Sequence, residues 1–202
     1  MKNIYSQDYL KKSLNKLRKK VGRFNLSMRY YRDTSNVKEH SQMNRVFKKF
    51  RGKTVLDVGC HIGYYATMIS FFAQEIIGID INEKVIKKAY CFKEITRAKN
   101  IDFKVLSAFD LDDKFMFCNK INAVFIHKSV GDMDSNTHWS IKEFEKTFSL
   151  FEKHCDIIIC NDVKRIKTFF QKDGFSIDKF ASYRHNSLYV IKKNKKIGKE
   201  NI

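Results

Sequence analysis

An acid and two glycines lie at the end of an apolar run, at a spacing that could hold a small ligand. The run 54–58 contains Asp57, and Gly59 and Gly63 come directly after it, before a stretch of helical character. Glycine lets a backbone pass close to a ligand because it has no Cβ. A strand, a glycine turn and a helix start in this order predict a ligand-binding turn.

A second acid ends the next apolar run, 75–79. Asp80 lies 21 residues after Gly59, where a carboxylate can bind both hydroxyls of a ribose. A nicotinamide dinucleotide would require G-x-G-x-x-G for its pyrophosphate, whereas the spacing here is Gly59-x-x-x-Gly63. Asp57 would repel a pyrophosphate but suits the ammonium of an amino-acid ligand. The residues therefore favour S-adenosylmethionine as the ligand.

Residues 54–66 and 75–80 resemble the first two motifs of the class I (Rossmann-like) S-adenosylmethionine-dependent methyltransferases. The resemblance implies that the methionine moiety lies near the glycine turn and that Asp80 holds the ribose. It also implies that Ser107 and Ala108 contact the adenine and that His127 lies beside the cofactor. The predicted cofactor-binding residues are Asp57, Gly59, Cys60, His61, Gly63, Asp80, Ile81, Ser107, Ala108 and His127.

Two positions depart from the usual pattern of that family. His61 stands where the middle glycine is usual, and Ser107 stands where an acid is common. The departure at His61 is tolerated if residue 61 has ordinary backbone dihedrals. We expect Ser107 to weaken adenine recognition without abolishing it.

Methyl transfer is a direct displacement that needs chiefly alignment of the acceptor, the methyl group and the sulfur. An acceptor hydroxyl or amine can also need a general base. The candidates are His127 and Asp132 after the fourth predicted strand and Asp162 after the fifth. His127 has a suitable ordinary pKa, although a role in contacting the cofactor is an equal alternative. No histidine or cysteine spacing indicates a metal site.

The elements that would position these residues alternate between strand and helix. Apolar runs predict strands at 54–58, 75–79, 102–106, 121–126, 156–160, 175–181 and 187–192. Helical periodicity is found at 63–73, 83–98, 139–154 and 162–172. This order predicts a doubly wound α/β fold whose seven-stranded sheet is mostly parallel, with an antiparallel hairpin at one edge. Two N-terminal helices, one reaching Val21 and one over 36–50, precede it.

Charge divides the chain into three predicted parts. Residues 1–53 hold 16 basic against three acidic residues, residues 54–191 hold 19 against 18, and residues 192–202 hold five against one. We therefore predict a basic helical extension over 1–53, a Rossmann-like methyltransferase domain over 54–192 and a basic tail over 193–202. The basic extension could bind nucleic acid such as RNA, an anionic membrane surface or a phosphorylated substrate.

The acceptor is left open among three hypotheses. The first is an oxygen or nitrogen atom of a small-molecule, sugar or lipid-linked acceptor. The second is RNA, gripped by residues 1–53. The third is a non-catalytic module that only binds the cofactor. The five cysteines are odd in number and lack a C-x-x-C pair, and no apolar stretch could span a bilayer, so we expect a cytoplasmic enzyme.

Overall fold

Seven strands form one mixed sheet in the described part of the chain, which comprises residues 7–21, 43–127, 139–161, 169–170, 175–183 and 186–194 of a computed structural model. The strands are β1 (Thr54–Val58), β2 (Glu75–Asp80), β3 (Ile101–Val105), β4 (Ala123–Ile126), β5 (Ile157–Asn161), β6 (Phe175–Tyr183) and β7 (Asn186–Lys193). Their order is β3-β2-β1-β4-β5-β7-β6. β6 and β7 are antiparallel, as is the β5–β7 pair. The predicted fold class is confirmed.

Five helices are bounded within the described residues. They are α1 (Gln7–Val21), α2 (Tyr64–Ile69), α3 (Glu83–Thr96), α4 (Asp113–Cys118) and α5 (Ile141–His154). Residues 43–47 are also helical and continue into a 3₁₀ turn over Lys48–Phe50. Each of the longer helices α3 and α5 begins at a side-chain cap, since Asn82 accepts from the Lys84 amide and Ser140 forms a capping box with Glu143.

The sequence-based boundaries are wrong in two places. The helix predicted over 63–73 ends at Ile69, because the Asn100 side chain donates to the carbonyl oxygens of Ser70 and Ala73 and holds the chain in a turn. Helix α4 was not predicted at all. Its signal was the Asp112 cap, whose carboxylate accepts from the Phe115 amide at 2.7 Å. Most of the helix predicted over 162–172 lies outside the described residues.

Residues 1–110 form one compact unit. Its strands β1, β2 and β3 are parallel, and β1 is buried along its whole length, as expected for a sheet covered on both faces. Helix α1 packs on α3, with Leu10, Leu14 and Leu17 fully buried. The Tyr9 hydroxyl donates to the Thr96 carbonyl oxygen at 3.1 Å.

Residues 111–202 form the second unit. β4 and β5 are parallel, and β7 lies antiparallel between β5 and β6. The buried face of α5 is aromatic, with Phe144 and Phe148 stacked at 4.3 Å between ring centroids. Trp139 is buried and lies against both rings. These contacts form an aromatic core beneath α5.

One phenylalanine in the first unit fills space that two glycines leave open. Asp57, Gly78 and Phe103 are register partners across β1, β2 and β3, so their side-chain positions share one face of the sheet. A Cβ built on Gly78 would lie 2.6 Å from the Phe103 ring, and one on Gly63 would lie 2.4 Å from it. The Phe103 ring therefore supports both β2 and the chain entering α2.

We expect Gly78→Ala to destabilise the protein by about 1–3 kcal/mol through overpacking against Phe103. In a Phe103→Val background, which removes the ring, the same substitution should cost much less. Chemical denaturation of the four variants of this cycle measures the difference.

Gly52→Ala is the matched control. Gly52 has φ +69° and no atom within 4 Å of a built Cβ, so the substitution costs only backbone strain, about 1–2 kcal/mol. That cost should be the same with Phe103 or Val at position 103. An equal cost of Gly78→Ala in both backgrounds would contradict the packing described above.

Candidate cofactor-binding site

The glycine turn after β1 is fixed to the end of β2 by main-chain hydrogen bonds. The amides of Gly59 and Cys60 both donate to the carbonyl oxygen of Ile79, at 2.9 and 3.0 Å. The Gly63 amide donates to the Cys60 carbonyl oxygen at 2.9 Å and closes the turn before α2. Gly59 and Gly63 have φ +69° and +74°, which favours glycine at both positions. The turn is thereby held at the carboxyl ends of β1 and β2.

His61 adopts a left-handed backbone conformation, with φ +51°. The condition of ordinary dihedrals at this position is therefore not met. Histidine is among the few residues other than glycine that are enriched in this region, at a cost of about 1–3 kcal/mol. The conformation lets the His61 amide donate to Oδ2 of Asp80 at 3.1 Å, which offsets part of the cost. Burial lowers the pKa of the His61 ring, with Asp80 opposing the shift, so the imidazole is neutral at pH 7.

Asp80 is positioned by backbone amides on both of its carboxylate oxygens. Oδ2 accepts from His61, and Oδ1 accepts from the Asn82 amide at 2.9 Å. The Leu106 amide donates to the Asp80 carbonyl oxygen at 3.1 Å and ties the end of β3 to the same place. Each carboxylate oxygen can accept a further hydrogen bond. This geometry suits a pair of vicinal hydroxyls.

Asp57 is a buried carboxyl group that lacks full hydrogen bonding. It is 2% exposed, and within the described ranges its Oδ2 atom has no hydrogen-bond partner. Burial, reinforced by the negative charge of Asp80, raises the pKa of Asp57 to about 8, while the Ala66 amide opposes the shift. A buried carboxylate is stable only with a cationic or donor partner. The site therefore fits the ammonium group of an amino-acid moiety.

Cys60 lies in the turn with a buried thiol. Burial, followed by the negative charges of Asp57 and Asp80, raises the pKa of the Cys60 thiol well above its ordinary value. The group is thus protonated at neutral pH. A protonated, buried thiol is a poor nucleophile, so Cys60 serves the packing of the turn.

Ile81, Ser107 and Ala108 lie at the ends of β2 and β3 in the same unit. Ile81 is 63% exposed and presents an apolar surface directly after Asp80. The Ser107 hydroxyl accepts from the Phe109 amide at 3.1 Å and stabilises a 3₁₀ turn over Ala108–Asp110. Ser107 therefore shapes this turn where an acid is common in the family.

None of the three predicted catalytic residues belongs to the described part of the first unit. His127 directly follows β4 in the second unit, where its ring lies parallel to Phe125 at 6.1 Å between centroids. Asp132 and Asp162 lie outside the described residues. Their roles as general bases, and that of His127, stay predictions. Among the residues that the structure describes, no cluster of three or more potential ligands could hold a metal ion.

Sequence reasoning missed the contribution of Phe103 and Gly78 to this site. The available signal was Gly78 itself, which interrupts the isoleucine-rich run Glu75–Asp80. A glycine inside a strand indicates close approach of another group. The sequence did not show that the approaching group is the Phe103 ring.

The chain is similar to a known protein family and to solved structures. Residues 49–148 match a family described as a methyltransferase domain. No curated protein sequence matches the chain significantly. No helix in the described ranges is both long and apolar enough to cross a membrane.

Solved structures share the fold at low sequence identity. Magnesium protoporphyrin IX methyltransferase from Synechocystis PCC 6803, with bound S-adenosylmethionine, is 17% identical with a TM-score of 0.58, over 93% of this chain and 95% of that one. An rRNA methylase from Streptococcus thermophilus is 9% identical with a TM-score of 0.60, over 77% and 97%. A Streptococcus mutans protein in complex with S-adenosylhomocysteine is 11% identical with a TM-score of 0.59, over 77% and 97%.

The matched domain contains the glycine turn, Asp57 and Asp80. The strand order agrees with a Rossmann-like methyltransferase fold. Enzymes with this domain use S-adenosylmethionine as the methyl donor. The chain contains a methyltransferase domain over residues 49–148, with the fold of the class I (Rossmann-like) S-adenosylmethionine-dependent methyltransferases.

Proposed function

We propose that this enzyme transfers a methyl group to an oxygen or nitrogen atom of a small-molecule, sugar or lipid-linked acceptor. The observation that carries the cofactor part of this proposal is the buried Oδ2 atom of Asp57, beside a backbone-anchored Asp80. S-adenosylmethionine supplies an electrophilic methyl group on a positively charged sulfur. The protein's task is to bind and orient that cofactor and to exclude water.

Each residue of the predicted site binds a specific part of the cofactor in this proposal. Asp57 binds the ammonium group, and the two oxygens of Asp80 bind the ribose hydroxyls. Ile81 provides an apolar surface for the adenine, with Ser107 and Ala108 at its edge. The neutral His61 ring adds no positive charge that would oppose the sulfonium. His127 either contacts the cofactor or acts as a base, together with Asp132 and Asp162 as the further base candidates.

The proposed acceptor class rests on two features of the sequence, its lack of proline and the positions of its cysteines. The 202 residues contain no proline, so the proline-containing loops used to methylate base amines or cytosine carbon do not occur in them. Cys60 is protonated, and Cys118 precedes β4, at the opposite end of that strand from His127. Direct attack by an acceptor oxygen or nitrogen needs no such loop and no covalent intermediate. The neighbour acting on a porphyrin is consistent with a small acceptor.

RNA is the second candidate acceptor, because α1 presents exposed lysines on its surface. One structural neighbour is an rRNA methylase.

The two acceptors are distinguished by incubating the purified enzyme and methyl-labelled S-adenosylmethionine with cell extract, then separating RNA from metabolites and lipids. We expect label in the metabolite or lipid fraction; label in RNA alone would establish the second candidate. Cofactor binding without label in any fraction would favour a non-catalytic module.

We expect Asp80→Ala to weaken binding of S-adenosylhomocysteine by about 1.5–3 kcal/mol, the scale of hydrogen bonds to a charged group. Isothermal titration calorimetry measures the change. Asp102→Ala is the control, since Asp102 is an acid on the neighbouring strand that bonds to Tyr90 and Lys104 instead. Unchanged affinity in a folded Asp80→Ala protein would show that the ribose acid is misassigned.

We expect the affinity for S-adenosylhomocysteine to rise with pH up to about 8, the pKa of Asp57 in the free protein. Below this pH the carboxyl must lose its proton before it can pair with the ligand ammonium, so affinity should fall by about tenfold per pH unit. Above it the carboxyl is ionised in the free protein, so the affinity should no longer rise with pH. Calorimetry in buffers of different ionisation enthalpy should show proton release on binding at pH 7.

Asp57→Asn keeps the shape of the side chain and removes the titrating group. The affinity of this variant for S-adenosylhomocysteine should be weak, and it should not change with pH below about 8. If the affinity fell equally with decreasing pH in Asp57→Asn and in wild type, another residue would be responsible for the titration. That result would contradict the role given to Asp57.

A further inference from the structure

Helix α1 has one face buried and the other occupied by lysines. Leu10, Leu14 and Leu17 are fully buried in the packing of α1 against α3. The exposed face carries Lys11, Lys12, Lys16 and Lys19, which we call the α1 lysine stripe. A helix advances about 1.5 Å and 100° per residue, so the stripe is about 12 Å long and covers a sector of about 140°.

The α1 lysine stripe carries a net positive charge in the described part of the chain. None of its four side chains forms an ion pair within the described ranges, and Asp8 is the single acid in α1. Lys20 differs, because its ammonium pairs with Glu94 Oε2 at 3.0 Å. That pair ties α1 to α3 and raises the pKa of Lys20 through the hydrogen bond to Glu94. With four lysines against Asp8, the stripe is thus a net positive surface on an anchored helix, which attracts polyanions.

The stripe is separate from the glycine turn. The polar contacts from α1 reach α3 at Glu94 and Thr96, near its end. Asp80 and Asn82 lie at the start of α3, which is about 18 Å away along the helix axis. An anion on the stripe would therefore occupy a different place from a cofactor bound by Asp80.

The burial of the α1 leucines favours nucleic acid over lipid as the ligand of the α1 lysine stripe. An amphipathic helix that binds a membrane inserts its apolar face between the lipids, but that face of α1 is already covered by α3. Lysine binds phosphates as a point charge and carries little base specificity. A flexible single strand can bring successive phosphates to lysines arranged along so short a stripe.

We propose that the α1 lysine stripe is a docking surface for the phosphate backbone of single-stranded RNA. It goes beyond the transfer reaction and holds for either acceptor class. It also makes no use of Lys20, which the structure assigns to the packing of α1 on α3. Neutralising the stripe should leave the cofactor site intact.

The test compares two variants that each lose four positive charges. The stripe variant carries Lys→Gln at positions 11, 12, 16 and 19. The control carries Lys→Gln at four exposed, scattered positions: Lys84, Lys99, Lys114 and Lys142. Fluorescence anisotropy with an oligouridine of about 20 nucleotides, longer than a typical single-strand site, measures binding at several salt concentrations. Titration with S-adenosylhomocysteine in parallel verifies that the cofactor site is intact.

We expect the stripe variant to bind oligouridine at least tenfold more weakly than wild type, and the control variant less than threefold more weakly. The slope of log affinity against log salt should fall by about 3 in the stripe variant, since each phosphate contact on a single strand contributes about 0.7. Equal losses in both variants would overturn the proposal in favour of diffuse charge. Absence of wild-type binding, or tighter binding to duplex DNA or to phosphatidylserine vesicles than to oligouridine, would overturn it too.

The outcome is independent of the proposed function. Loss of RNA binding with unchanged S-adenosylhomocysteine affinity supports the docking surface whatever the acceptor is. Failure of wild type to bind S-adenosylhomocysteine would instead reject the cofactor assignment and leave the RNA result standing.

Discussion

The carbonyl oxygen of Ile79 is the acceptor on which the geometry of the cofactor site depends. It receives the amides of Gly59 and Cys60 and so fixes the first half of the glycine turn to the last residues of β2. Once the turn is fixed there, the amide of His61 reaches Asp80. The ends of β1 and β2 thus form one hydrogen-bonded unit, and the end of β3 joins it through Leu106. The site is built mainly from backbone groups, whose positions the sheet determines.

The same arrangement brings two carboxyl groups into electrostatic contact at a buried place. Two backbone amides hold the carboxylate oxygens of Asp80. Asp57 is deeper, and its raised pKa means that the neutral form is favoured in the free protein. The stability that this shift provides is present below the ordinary pKa of an aspartate and is lost as the pH rises through about 8. A bound ammonium group removes the penalty, so the strain of the free site contributes to ligand selectivity.

The first unit therefore combines two different electrostatic surfaces. The end of β1 and the end of β2 bring two carboxyl groups together, that of Asp57 buried, and suit a cationic ligand. The exposed face of α1 concentrates positive charge at the surface, near the far end of α3. Their separation along α3 allows each to bind its own ligand without direct competition. This division explains how a small chain could bind a cofactor and a polyanion together.

Local properties of the sequence determined the order of the elements and the two acids of the site. Asp57 lies near the end of the run 54–58, and Asp80 follows the run 75–79. A residue at the carboxyl end of a strand lies at that edge of the sheet whatever the rest of the chain does. Helix α4 was not predicted from the sequence because a helix of six residues is too short to give a periodic pattern.

Only the tertiary structure decided the contacts between residues distant in sequence. It placed the Phe103 ring against Gly63 and Gly78 and gave His61 its left-handed conformation. It left Oδ2 of Asp57 buried without a partner among the described residues and separated Lys20 from the lysine stripe. Spacing along a sequence records local periodicity, whereas packing, hydrogen bonding and burial depend on which segments the sheet brings side by side.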